Sequence, residues 1–293
     1  MYKIIITGGS GFIGSNLIKK LLLDYTDISI LSIDNYLTGN INNEVLDKRV
    51  IYINDTTYNI NNYIYFKPDI LYHFGEYSRI SQSFLEPQLV FENNFIGTSK
   101  VVEFCSKNKV KLIYSGSSAI FGNNMKDQHL SPYAWIKSKN IELINNYKEW
   151  YGLDFVIVFF YNVYGNGQIS SGSYATVIGI FENQYKSNSP LTVVLPGTQR
   201  RSFTHITDTI NGIIIASLKG ELYQNYYITT DKDYSIIEVA ELFNTNYIFI
   251  KKKKGDRLKS NGDNTTLKNL GWKLENNLEN YIKQLYKLEN LNI

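Results

Sequence analysis

Residues 7–14 read Thr-Gly-Gly-Ser-Gly-Phe-Ile-Gly, and this stretch restricts the fold more than any other in the chain. Before it, residues 3–7 form a short β-branched apolar run, the pattern of a buried strand. After it, Ile13, Leu17 and Leu21 recur at i, i+4 and i+8, on one stripe of a helix. A strand that turns directly into a helix through glycines at 8, 9, 11 and 14 has three uses for them. One allows positive φ in the tight turn, one lets the backbone approach a pyrophosphate, and one seats the helix against the strand. The helix N-terminus then offers free N–H groups and the positive end of its dipole, so Gly8, Gly11, Phe12, Ile13 and Gly14 are the expected phosphate cradle. Asp34 ends the next predicted strand, residues 28–33, and lies 20 residues beyond Gly14, the offset of a carboxylate that holds the adenosine ribose hydroxyls. A carboxylate there repels a 2′-phosphate, so NAD is expected over NADP. An ordinary glycine loop with a turn aspartate is the alternative, and it leaves the agreement of strand, helix and acidic residue unexplained.

The first half repeats this rhythm. Strands are predicted at 50–53, 69–74, 110–114 and 154–160, with a short helix ending before Pro68, a long one from Pro87 to about Lys107 and another from Pro132 to about Tyr151. Alternation of this kind makes a parallel sheet covered on both faces, and right-handed crossovers make it doubly wound. After Gly165 the rhythm changes, with Gly, Ser and Asn clustered over 165–173 and shorter elements beyond. The predicted fold is α/β: a doubly wound Rossmann sheet over residues 1–165, to which part of 203–225 returns, and a smaller α/β substrate-binding lobe over 166–293. A chain of 293 residues with 43% apolar and 19% charged side chains can bury the cores that two joined lobes require. A net charge of +3 is too weak to argue for nucleic acid or an anionic membrane. The longest apolar runs, such as 155–160, are too short to span a bilayer. The lone cysteine, Cys105, forms no intrachain disulfide and reads as a small buried hydrophobe. With no signal-peptide pattern at the N-terminus, a cytoplasmic location is expected. Lys251 to Lys254 read as a solvated edge, and no metal site is expected.

Tyr133 and Lys137 stand at i and i+4 at the start of a predicted helix, on one face. A lysine cation beside a tyrosine favours the phenolate and is expected to lower a phenol that otherwise titrates near ~10. Alone, such a pair is most often an exposed surface feature. Here a run of small hydroxyls, Ser115, Ser117 and Ser118, follows a predicted strand about 16 residues earlier, at the strand end where ligands bind in such sheets. Combined with the glycine turn and Asp34, the pair reads as an acid–base site.

These segments, with Asp55-Thr56, His73-Phe74-Gly75, Asn94, Asn162 to Gly165, Arg200 to His205, Gly255-Asp256 and Leu270-Gly-Trp272, resemble the extended short-chain dehydrogenase/reductases in order and spacing. Within them, the chain is similar to the nucleotide-sugar epimerase/dehydratase family over nearly its whole length. The resemblance implies roles. Asp34 and Asn35 would bind the cofactor with Asp55 and Thr56, Asp55 holding the adenine amino group. His73, Phe74 and Gly75 would line its pyrophosphate, with Asn94 supporting that loop and Ser115 beside it. Tyr133 would be the general base, Lys137 its partner and a ligand of the nicotinamide ribose. Ser117 would hydrogen-bond the reacting hydroxyl. Asn162, Arg201 and, more weakly, Arg257 would grip the diphosphate of a nucleotide sugar. The helices at 87–107 and 132–151 would pair with a second copy in a homodimer.

The implied first step takes a proton from a sugar hydroxyl at C4 while the carbon gives up hydride, leaving a 4-keto sugar. The family's 4,6-dehydratases carry an Asp-Glu pair directly after the catalytic Ser/Thr position. Here Ser118 and Ala119 stand there, and neither is a carboxylate acid or base. A sugar 4-epimerase is therefore the leading expectation, ahead of a 4-ketoreductase or dehydrogenase and of a 4,6-dehydratase. A non-catalytic dinucleotide-binding protein is the alternative from another class. The segment 73–79 departs from the family pattern in Glu76, Tyr77 and Arg79, with Glu76 read either as an ion-pair partner of Arg79 or as an extra acid or base.

Overall fold

The structure is a computed structural model that describes residues 2–123, 129–252, 254–259 and 262–290. Lys253, within the basic run, lies outside the described residues; Lys251, Lys252 and Lys254 are exposed.

The chain runs through β1 (Tyr2–Thr7), α1 (Phe12–Asp24), β2 (Ile28–Asp34), β3 (Val50–Asn54), β4 (Ile70–His73), α2 (Pro87–Val90), α3 (Gly97–Asn108), β5 (Lys111–Ser117), α4 (Pro132–Tyr151) and β6 (Phe155–Phe160). It continues through β7 (Val163–Tyr164), α5 (Val177–Lys186), β8 (Leu191–Val194), β9 (Arg200–Ser202), β10 (Thr204–His205), α6 (Ile206–Lys219) and β11 (Asn225–Ile228). It ends with β12 (Asp233–Ser235), α7 (Ile236–Leu242), β13 (Tyr247–Ile250), α8 (Thr265–Asn269) and α9 (Leu278–Asn290). Seven strands form one sheet in the order β11-β6-β5-β4-β1-β2-β3, and every pairing in it is parallel. Strand alternation sorts the side chains. In β1, Ile4 and Ile6 face one core and Ile5 the other. The first core is closed by α1 and α6, through Leu17, Leu21, Ile210 and Ile213. The second is closed by α3 and α4, through Val101, Phe104, Cys105 and Ile144. Burial of apolar side chains on both faces is what a parallel sheet requires.

The long helix expected from Pro87 is interrupted. Between α2 and α3 the residues Phe91–Ile96 form a π-helical turn. The wider turn carries Asn94 inward, where its carboxamide accepts from Tyr77 N at 2.6 Å and donates to Tyr77 O at 2.7 Å. Nor does the return to the main sheet stop at 225. The strand that returns is β11, at the sheet edge beside β6, and Leu267 and Trp272, far beyond it, also pack into the first core. The Trp272 indole donates to Asp208 O at 2.8 Å, tying the C-terminal segment to α6. A separate core in the second half gathers Phe181, Val193, Phe203, Val239 and Phe243 from α5, β8, α7 and the chain between β9 and β10.

β1 lies between β2 and β4, so the chain leaves it in opposite directions on its two sides, and the crevice above its carboxyl end is the expected ligand site.

Candidate active site

A cavity of about 600 Å³ opens at that crevice, a size suited to organic ligands. One end is lined by Gly8, Gly11, Phe12, Ile13, Gly14, Asp34, Asn35, Phe74 and Gly75. The glycines differ in what fixes them. A Cβ on Gly14 would stand 2.2 Å from Gly8 O, so turn and helix close only over a bare Cα. A Cβ on Gly11 would meet only Gly8 O, at 3.2 Å. Gly11 is the N-cap of α1, no side chain caps the helix and no acidic residue stands in its first turn. This leaves its positive end to whatever occupies the cavity. The Asp34 carboxylate accepts from Ser10 N at 3.0 Å and Tyr36 N at 2.8 Å, which stands it at the cavity wall. Burial pushes its titration up, and the Tyr36 and Ser10 amides pull the other way. Asn35 donates to Asn93 Oδ1 at 3.0 Å. A bare-Cα anion cradle with a carboxylate at its far side fits a dinucleotide.

Asp55 and Thr56 are not among the lining residues. The Asp55 carboxylate accepts from Thr56 N, Asn59 Nδ2 and Tyr63 OH at 2.7, 2.7 and 2.6 Å, so it organises the start of the turn after β3. Asn94 is also outside the wall and acts on it through the Tyr77 backbone.

At the middle of the cavity stand Ser115, Ser117, Tyr133 and Lys137. β5 delivers the serines; α4, started by Pro132 after a Ser131 cap that accepts from Ala134 N, delivers the tyrosine and lysine. Two expectations are corrected here. Glu76 does not pair with Arg79: it forms an ion pair with Lys137, and both side chains are only 3% exposed. Lys137 also donates to Ser115 O at 2.5 Å and contacts Tyr114 OH at 3.2 Å and Ser115 Oγ at 3.3 Å. The Glu76 carboxylate accepts further from Thr98 Oγ1, Tyr114 OH and Asn140 Nδ2, each at 3.1 Å. With Ser115 Oγ, which donates to Glu76 Oε2 at 3.3 Å, five donors surround this one carboxylate. The second correction concerns Tyr133. Its phenol is not lowered by Lys137; burial pushes it up to about 12, the Ser117 hydroxyl pulls down and the Glu76 charge pushes up. Lys137 is neutralised locally by Glu76, whereas Arg79 and Arg257 are the cations that favour the phenolate. The Glu76 pairing joins residues 61 apart in the chain, which no local spacing announces.

At the other end, Arg201 Nη2 pairs with Asp256 Oδ1 at 2.6 Å and donates to Arg257 O at 2.5 Å. Arg257 reaches across to the carbonyl and hydroxyl of Ser118, and among the described residues its buried Nε has no partner. Asn162, in a left-handed conformation with φ 35°, donates to Ser202 O at 3.0 Å and lines the same wall. Gln199, whose buried Oε1 has no partner among the described residues, and Asp256 were not assigned roles from sequence. They fall in loops without periodicity, and only their nearness to Arg201 and Arg257 would have pointed to them.

The profile of the NAD dependent epimerase/dehydratase family matches residues 4–228. A putative UDP-glucose 4-epimerase of Methanocaldococcus jannaschii is 29% identical over 300 residues, covering 96% of each chain. A dTDP-D-glucose 4,6-dehydratase of Dictyostelium discoideum is 26% identical over 82% of this chain and 61% of its own. Among solved structures, the UDP-glucose 4-epimerase of Thermotoga maritima with UDP-glucose superimposes with a TM-score of 0.90 at 23% identity, covering 99% of this chain and 100% of that one.

Proposed function

The chain belongs to the NAD-dependent epimerase/dehydratase family, and from that premise we propose that it inverts C4 of a nucleotide-linked sugar through a 4-keto sugar. The observation that carries this reading is the set of carboxylates on the cavity wall. Among the described residues they are Asp34, Glu76 and Asp256, and each is committed: Asp34 to backbone amides, Glu76 to Lys137, Asp256 to Arg201. Ser118 and Ala119 occupy the positions where a dehydratase of this family has its acid pair. Among the described residues no carboxylate of the wall is left to move protons at C5 and C6, and an epimerase needs none.

NAD fits the first end of the cavity, with its pyrophosphate on α1 and its ribose on Asp34. When bound, it supplies the acceptor and donor of hydride. The residues of this chain handle the rest. Ser117 orients the C4 hydroxyl and Tyr133 takes its proton. Lys137 fixes the backbone and hydroxyl of Ser115, and Arg201, Arg257 and Asn162 hold the diphosphate. Because the phenol stands near 12 before ligands bind, the share of phenolate rises with pH, and the proton-abstraction rate should climb through the neutral range. Phe91 and Trp135, 40% and 41% exposed, give the α2–α4 face apolar surface that a second copy would cover.

The test is Tyr133→Phe in the NAD-loaded protein, with epimerisation of UDP- and dTDP-linked hexoses followed by chromatography. Turnover should fall about 10²–10⁴-fold with melting temperature and NAD content kept. Unchanged turnover would place the chain among non-catalytic dinucleotide-binding proteins, and net NADH release would make it a dehydrogenase.

A further inference from the structure

We propose that the sugar taken at this site carries a carboxylate, and that Arg79 binds it. This rests on the nucleotide-sugar reading above and narrows its substrate class to nucleotide-linked hexuronic acids. Among the described residues four cations line the cavity: Arg79, Lys137, Arg201 and Arg257. Lys137 is matched by Glu76 and Arg201 by Asp256. Arg257, whose carbonyl Arg201 holds, joins it in a pair with one carboxylate between them, which leaves an excess positive charge for a diphosphate.

Arg79 is placed differently. Its Nε donates to Tyr174 O at 2.5 Å and its Nη1 to Ser78 O at 3.2 Å. Those carbonyls aim the guanidinium without neutralising it, and among the described residues no carboxylate lies within ion-pair distance of it. The loop that carries it is fastened on both sides of the reacting centre. Upstream, Glu76 holds Lys137; downstream, Ser83 Oγ accepts from Tyr133 N at 3.4 Å. Tyr174, in turn, stands edge-on to Tyr77 with ring centroids 5.7 Å apart and donates to Glu86 at 3.1 Å, so the anchor itself is fixed. Arg79 thus sits on a loop tied to Lys137 and Tyr133, and among the described residues it shares no hydrogen bond or ion pair with Arg201, Asp256 or Arg257. The phosphates of the cofactor have their own donors at α1. An uncompensated guanidinium in such a wall is unfavourable until a ligand supplies the anion. A neutral hexose offers it only hydroxyls, whereas a sugar carboxylate meets the guanidinium with charge-assisted hydrogen bonds. Arg79 also favours the Tyr133 phenolate, a role that the experiment separates.

Steady-state epimerisation by the NAD-loaded full chain is measured with UDP- and dTDP-linked glucose and glucuronic acid, for the wild type, Arg79→Met and Arg79→Lys. Binding of UDP and dTDP alone is followed by calorimetry. The wild type should prefer the hexuronate by at least about 100-fold in kcat/KM. Arg79→Met should cut that preference to under about tenfold, chiefly by raising KM for the hexuronate, and Arg79→Lys should restore part of it. Equal use of the neutral sugar by the wild type overturns the inference. So does an Arg79→Met variant that slows both sugars alike and shifts the pH profile, because Arg79 would then serve Tyr133 alone. Nucleotide binding without hexuronate turnover sinks this inference and leaves the nucleotide-sugar reading intact. No binding of either nucleotide sinks both.

Discussion

The two ends of the cavity are made by different means. At the cofactor end the walls are backbone: a turn that closes over bare Cα atoms, an uncapped helix end, and a carboxylate set by amides two and twenty-four residues away. At the sugar end the walls are long side chains whose partners come from distant segments, such as Arg201 on Asp256, 55 residues on, and Arg257 on Ser118, 139 residues back. The first end is inseparable from folding, since β1, the turn and α1 also build the core. The second is added onto an already packed frame, so its charges can change while the frame stays. Function in this fold is therefore adjustable mainly where side chains, and not the main chain, make the wall.

The sharpest challenge to this contrast is at the turn. Gly14→Ala puts a methyl group 2.2 Å from Gly8 O and should cost folding itself, read as a large drop in melting temperature or loss of soluble protein. Gly11→Ala, whose nearest neighbour would be 3.2 Å away, should fold and lose NAD affinity. If Gly14→Ala melts like the wild type, the cofactor end is not coupled to the core as described. Next is Glu76→Gln, in the middle of the cavity. Removing one charge of a buried pair should destabilise by about 3–5 kcal/mol in urea unfolding. A change under about 1 kcal/mol would mean that Lys137 sheds its proton cheaply; burial already lowers its affinity for that proton. The smallest effect is expected at the sugar end. Asp256→Asn should leave melting temperature and NAD content nearly unchanged, and weaken nucleotide-sugar binding by about 2 kcal/mol through the loosened Arg201. Equal damage to NAD binding would show that the two ends are not independent.

Much of this was legible along the chain. Periodicity placed α1, α4 and strands β1 to β6 nearly where they lie, because each is set by residues within one or two turns of each other; β11, the seventh strand of the sheet, was not foreseen. Pro132 and Gly152 bracket α4 by local backbone preference alone. The π turn at 91–96 was not legible, since its residues suit an ordinary helix and the Asn94–Tyr77 bonds that reward the wider turn come from another loop. The expectation for Tyr133 went wrong for a related reason. The i, i+4 spacing puts Lys137 near it, but the lysine answers to Glu76, and only the folded chain brings Glu76 there.

The sequence by itself determined the strand–turn–helix, the acidic residue after β2, and the tyrosine and lysine on one helix face, because bond geometry and helical repeat carry such relations over short distances. Tertiary structure alone decided which charges cancel. Lys137 is quenched, Arg201 is half-quenched and, among the described residues, Arg79 meets no carboxylate, because packing sets the distances between groups far apart in the chain. Electrostatic energy depends on those distances and on burial, and neither can be read from order along the chain.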